Sequence, residues 1–155
     1  MIFQAILLSV LCVFDVFATN EFYDLKATDI YGMDVDFQKF KGKVLLIVNV
    51  ASQCGFTDSH YRDLQKMQVS ILSCLSQISS RFYSSHILNF QDILGNDDHF
   101  LVLGFPCNQF GKQEPEDNAA IDEFVKTNYN VDFPMFSKIN VRGEFIHPVW
   151  QYLTG

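Results

Sequence analysis

The run Lys43-Val44-Leu45-Leu46-Ile47-Val48-Asn49-Val50 does most to restrict how this chain can fold. It is continuous, rich in β-branched residues, and lacks the polar alternation of a strand with one wet face. Such a run predicts a central strand covered on both faces, as in parallel sheets. Leu101 to Phe105 repeats the pattern. Between the two, Thr57 reads as the N-cap of a helix, with Asp58 near the positive end of its dipole. Strand, helix and parallel strand make a right-handed βαβ unit, so the expected class is α/β. Ahead of it, Tyr23, Leu25 and Ala27 alternate with polar residues, Gly32 turns the chain, and Val35 and Phe37 resume, which predicts a β-hairpin. A polar loop from Pro106 to Pro115 follows the second strand. Asp117 or Asn118 then caps a helix with Ile121, Phe124 and Val125 on one side. Phe133–Phe136 and Lys138–Val141 read as short extended pieces, and Pro148 opens a final helix near its first turn.

Two segments read as extraneous to that plan. Residues 1–18 are apolar at 15 of 18 positions. That is short for a bilayer span and suits a signal peptide cleaved before Thr19, with Val16 and Ala18 at the site, although no Lys or Arg precedes the run. A buried helix or weak anchor is the other reading. The second segment, Val69 to Gln91, holds 7 of the chain's 11 serines and a single charge, Arg81. Ile71, Leu75, Ile78 and Phe82 share one helical face, so it can prolong the helix begun at Thr57. It can also be a retained intron: Val-Ser can be written GTAAGT, Asn-Phe-Gln can be written AATTTTCAG, and the segment is a whole number of codons.

A net charge of −7 argues against nucleic acid or anionic lipid as the main partner, because both call for a basic surface. The cysteines stand at 12, 54, 74 and 107, and no pair has Cys-x-x-Cys spacing. A structural metal site is not expected, and neither is a dithiol exchange centre. Cys54 is different in kind, because it follows the central strand directly and precedes a helix. That crevice, at the carboxyl end of a parallel strand, is where α/β folds place function, and the helix terminus favours a thiolate that peroxides can oxidise. A buried structural cysteine is the plainer alternative.

Three stretches carry a resemblance. Asn49-Val50-Ala51-Ser52-Gln53-Cys54-Gly55, then Phe105-Pro106-Cys107-Asn108-Gln109-Phe110-Gly111-Lys112-Gln113-Glu114-Pro115, then Phe133-Pro134-Met135-Phe136, resemble the glutathione peroxidases, over about Tyr23 to Leu153. The resemblance implies a thioredoxin fold and reduction of hydrogen peroxide or of organic or lipid hydroperoxides. It implies a catalytic selenocysteine or cysteine at Cys54, with a Gln, a Trp and an Asn donating to the chalcogen. The Gln maps to Gln113, whose amide can donate to a thiolate without adding a competing charge; an ordinary loop amide is the alternative. No cofactor or metal is implied. The implied partners are a hydroperoxide and glutathione or thioredoxin as reductant, in the response to oxidative stress. The segment of residues 1–18 places the expected protein in the secretory pathway or outside the cell (secreted), without stable membrane insertion.

The chain also departs from the family. The family's Trp-Asn pair follows the helix that starts at Pro148, whereas Trp150 lies within that helix, is followed by Gln151, and the sequence stops at Gly155. The expectation is a thioredoxin fold incomplete at the C-terminus, with an unpaired strand edge and poor solubility or activity. A scaffold that binds a partner without catalysis is the competing expectation. Lys126 stands where thioredoxin-dependent members carry a resolving cysteine. That leaves an external thiol or Cys107, which needs its Cα within about 7 Å of Cys54 to form a disulfide and reads more readily as structural. The splice reading predicts a CAG codon at Gln91 and a shorter transcript joining Gln68 to Asp92. Sequencing gene and transcript checks both, and a CAA codon or transcripts that all carry the segment would rule it out.

Overall fold

A computed structural model describes residues 21–81 and 100–155. The expected signal segment lies outside the described residues, as do the last ten residues of the Ser-rich segment. A short 3-10 turn, Glu21–Asp24, leads into the hairpin β1 (Lys26–Thr28) and β2 (Asp34–Asp36), paired antiparallel with Ala27 opposite Val35. Its turn is closed by Asp29, whose carboxylate accepts from the Tyr31 and Met33 amides, and by Gly32 at φ 87°. After a second 3-10 turn, Phe37–Phe40, the chain enters β3 (Val44–Val50), α1 (Thr57–Arg81) and β4 (Phe100–Pro106). The strands β3 and β4 are parallel and in register from Val44–Phe100 to Val50–Pro106. The backbone of α1 therefore runs through the first part of the Ser-rich segment as one helix with what precedes it.

Side chains alternate across the β3–β4 pair, as period-2 geometry requires. One face sends Leu45, Ile47, Leu101, Leu103 and Phe105 into a core with Phe37, Phe40 and Phe136. The other sends Leu46, Val48, Val50 and Val102 against Tyr61 of α1 and against Ile121 and Val125 of α2 (Asn118–Tyr129). Both faces are covered, yet β3 is less buried than the sequence predicts: Leu45 to Val48 are half-buried and Val44 is 66% exposed. Among the described residues β3 pairs with β4 alone, so its other edge is open. By contrast β4 is buried from Leu101 onward, because Phe133–Phe136 lies along its far side. There the Gly104 amide donates to the Pro134 carbonyl at 3.0 Å and the Phe136 amide to the Gly104 carbonyl at 2.9 Å. A Cβ on Gly104 would meet Met135 Sδ at 2.5 Å, so the close approach needs glycine.

The remaining elements follow their local signals. Asp117, rather than Asn118, caps α2, accepting from the Ala120 amide at 2.9 Å. The last helix, α3 (Pro148–Thr154), has Pro148 in its first turn and His147 as cap. Lys138–Val141 joins no strand pair along its length: the Ile139 amide donates to the Pro106 carbonyl at 2.9 Å, and side chains take the flanking amides. Asn118 Oδ1 accepts from the Lys138 amide at 3.0 Å and Gln109 Oε1 from the Val141 amide at 2.8 Å. Phe105 is the ring on which this side of the core closes, stacked on Phe136 at 4.2 Å and meeting Trp150 of α3 edge-on at 5.1 Å. Phe105→Ala is expected to cost about 3–5 kcal/mol, whereas Phe145→Ala, at a residue 77% exposed, stays within about 0.5 kcal/mol. Urea melts of the two variants check the contrast.

Candidate functional site

The thiol lies in the turn between β3 and α1. Val50 ends the strand beside Pro106, and the Cys107 amide donates to the Val50 carbonyl at 3.0 Å, so both chains leave the sheet together. Cys54, half-exposed, sits where the sequence places it, but the turn is held differently from the expectation. Thr57 begins α1, and its hydroxyl points backward: Oγ1 accepts from the Cys54 amide at 2.9 Å and donates to the Ala51 carbonyl at 2.7 Å. The Cys54 amide is thereby engaged and is not one of the free donors that a helix terminus would turn toward the sulfur. Thr57 acts as a brace for the loop, a role its capping signature does not reveal.

Gln113 arrives from the other chain. Gly111 and Lys112 both take positive φ, 63° and 56°, and the Gln113 amide closes on the Phe110 carbonyl at 3.4 Å. Two left-handed residues in succession resemble a type I′ turn, and for Lys112, which carries a Cβ, that conformation is strained. This turn brings Gln113 alongside the thiol loop: the Gln53 amide donates to the Gln113 carbonyl at 2.9 Å. Cys54 and Gln113 line one open trough of about 700 Å³, together with Phe56, Phe110, Trp150 and Leu153. Phe56 is 65% exposed and stacked on His60 at 5.4 Å, and Arg142 lies over the Phe110 ring at 4.5 Å.

Trp150 shares this trough but is nearly buried, in ring contact with Phe105, consistent with a core residue of α3. Cys107 is buried and its sulfur accepts from the Gln109 amide at 3.5 Å. Cys54 and Cys107 are both free thiols. Lys126 donates to Asp122 at 2.7 Å and to the Tyr31 hydroxyl at 2.6 Å, tying α2 to the hairpin. These bonds, to Asp122 first, raise its pKa. Among the described residues no group of three or more His, Cys, Asp or Glu could hold a metal ion, and no helix is long and apolar enough to cross a membrane.

Sequence reasoning passed over Glu114, which is fully buried beside Gln113. Its Oε2 accepts from Ser52 Oγ at 3.1 Å and its amide donates to Asn108 Oδ1 at 2.8 Å. Burial pushes the carboxyl above its usual 4.5, with the Ser52 hydrogen bonds and the Lys138 charge pulling the other way. An acidic residue within a string of polar ones gives no sign of burial.

The parallel strand pair thus delivers a thiol and an amide to one trough on an α/β scaffold. The glutathione peroxidase family model matches residues 22–79 and 85–154, a break that falls inside the Ser-rich segment. Over 135 residues the chain is 47% identical to glutathione peroxidase 7 of Bos taurus, a match that takes in 87% of this chain and 60% of that protein. It is 42% identical to the hydroperoxy fatty acid reductase gpx1 of Synechocystis over 88% of this chain and 66% of the other. The crystal structure of T. cruzi GPX1 superposes with a TM-score of 0.52 at 28% identity, covering 85% of this chain and 63% of that one. The chain belongs to the glutathione peroxidase family and spans about 60% of the length of the first of these relatives.

The raised Glu114 pKa has a definite sign in stability. The folded chain holds that proton more tightly than the unfolded chain, so the contribution is full below 4.5 and is lost as pH rises through the folded value. Relative to Glu114→Gln, the native protein is expected to lose stability from pH 4.5 toward neutrality. Urea midpoints of both chains across that range check it, and a constant difference would count against the assignment.

Proposed function

We propose that this chain forms the thiol-bearing part of a thiol-dependent peroxidase, with Cys54 as the oxidised nucleophile and Gln113 as the amide that steadies its thiolate. The observation that carries this is the 2.9 Å bond from the Gln53 amide to the Gln113 carbonyl, which holds the two loops side by side over one trough. The Cys54 thiolate attacks one oxygen of the hydroperoxide; the S–O bond forms as the O–O bond breaks. The departing oxygen takes a proton and leaves as alcohol or water, and Cys54 becomes a sulfenic acid. A thiol then attacks the sulfur, forming a mixed disulfide and releasing water, and a second thiol restores Cys54 and leaves as disulfide. One peroxide is reduced for two thiols oxidised.

The apolar rim formed by Phe56, Phe110 and Leu153 favours organic and lipid hydroperoxides over hydrogen peroxide alone. Lys126, engaged with Asp122 and Tyr31, offers no thiol where thioredoxin-dependent members have one, and Cys107 is buried in the strand end. An external thiol, glutathione or a thioredoxin, is therefore the reductant. The segment of residues 1–18 directs the protein to the secretory pathway, where it serves the response to oxidative stress.

A partner-binding scaffold without catalysis is the second reading, favoured by the open edge of β3 and by a tryptophan engaged in the core. One experiment separates the two. With stoichiometric peroxide and a sulfenic-acid trap, the Cys54 peptide is expected to gain the adduct by mass spectrometry and Cys54→Ser to gain none. Gln113→Ala is expected to slow the reaction about tenfold, the worth of one charge-assisted hydrogen bond. An unmodified Cys54 would support the binding scaffold.

A further inference from the structure

We propose that Glu114, acting through Ser52, is a positioning residue that fastens the thiol loop to the Gln113 turn; this rests on the thiol-peroxidase reading of the same site. The two loops meet in two adjacent rungs. In one the Gln53 amide donates to the Gln113 carbonyl at 2.9 Å, and in the next Ser52 Oγ donates to Glu114 Oε2 at 3.1 Å. Each residue of the second rung is the chain neighbour of one in the first. One rung is backbone and available to any sequence, whereas the other needs a hydroxyl and an acceptor of a particular length.

Glu114 is costly where it stands. It is fully buried, and among the described residues neither its Oε1 nor the buried Tyr61 Oη, on which the charge of Glu114 acts, has a hydrogen-bond partner. An apolar residue of similar volume would avoid both penalties, so the carboxyl does something a hydrocarbon cannot. Its own backbone is fixed from outside: Asn108 accepts from its amide, and Lys138 Nζ donates to the carbonyls of Glu114, Pro115 and Glu116. The charged groups acting on it, Lys138 and Glu116, oppose each other, and Tyr61 faces it from α1. Held in this way, Glu114 is an immobile acceptor to which Ser52, two residues before Cys54, is attached. Releasing Ser52 loosens the Gln53 rung and lets the thiol drift from the Gln113 amide.

Hydrogen exchange at the Gln53 amide reads this fastening directly and needs no peroxide. In the full chain, Ser52→Ala and Glu114→Ala are each expected to speed that exchange about tenfold, the worth of one hydrogen-bonded contact. The double variant is expected to go no further. Glu114→Gln keeps an acceptor for Ser52 and is expected to exchange at the native rate. The Leu64 amide within α1 reports the integrity of the fold and is expected to stay protected. Trapping of the Cys54 sulfenic acid is expected to slow in the two alanine variants and recover in Glu114→Gln. Unchanged Gln53 exchange in Ser52→Ala, or a Glu114→Gln as fast as Glu114→Ala, would overturn the proposal. Should Glu114→Ala expose Leu64 as well, Ser52→Ala decides, since it leaves the buried carboxyl in place. A native Cys54 that resists peroxide while Gln53 follows the expected pattern refutes the peroxidase reading and leaves the fastening intact.

Discussion

The parallel pairing of β3 with β4 is the constraint on which the rest depends. Its register sets Val50 beside Pro106, and from that last pair both chains leave the sheet in the same direction. Everything chemical lies within a few residues beyond: Ser52, Gln53 and Cys54 on one chain, Cys107, Gln113 and Glu114 on the other. Antiparallel strands would send their exits to opposite ends of the sheet and never bring these residues together. A slip of β3 by one residue would also exchange its faces, taking Ile47 out of one core and Val48 out of the other. Packing on both faces thus fixes the register, and the register fixes the site.

The same pairing explains why β3 is the least protected element of the core. Its residues match a strand enclosed on every side, but enclosure of the two faces does not supply a neighbour in the hydrogen-bonding direction. Among the described residues only β4 provides one, which leaves Leu45 to Val48 half-buried. The trough beside Cys54 begins along this edge, with Ile47 and Val48 in its wall. Access to the thiol and exposure of the strand are two aspects of one geometry.

What could be read from the sequence was governed by periodicity and by local signals. The hairpin, both strands of the parallel pair, α1, α2 and α3 announce themselves through alternation, apolar runs, caps and Pro148, and the α/β class follows from their order, its thioredoxin type from the family resemblance. The motif around Cys54 also points to Gln113, far away in sequence, because the resemblance carries the pairing that spacing alone cannot. Less legible were the features set by contacts across the fold. Thr57 has the look of a helix cap and braces the loop behind it. Lys138–Val141 looks extended and is instead held by the side chains of Asn118 and Gln109. Glu114 sits in a polar string and is wholly buried, and Lys112 occupies a conformation that its identity disfavours. Lys138–Val141 and Glu114 are decided by partners in other segments, which no local window contains, and Thr57 and Lys112 by the way their own turns close.

The groups that hold the thiol loop in place are the Thr57 hydroxyl, the Ala51 and Gln113 carbonyls, the Ser52 hydroxyl, and a carboxyl whose pKa burial raises. A thiolate is stabilised by donors and by cations and destabilised by nearby anions. A cation at the loop would add a charge to be desolvated and an ion pair to be broken as the sulfur is oxidised and its charge leaves. The hydroxyl and carbonyl braces carry no charge, so none of them depends on the charge of the sulfur. The charged groups lie one layer out, where Lys138 closes the carbonyls after Glu114 and Lys126 ties α2 to the hairpin. A second anion beside a thiolate would destabilise it, and the burial that raises the Glu114 pKa works against that second charge. The same burial holds Glu114 in place as an acceptor for Ser52.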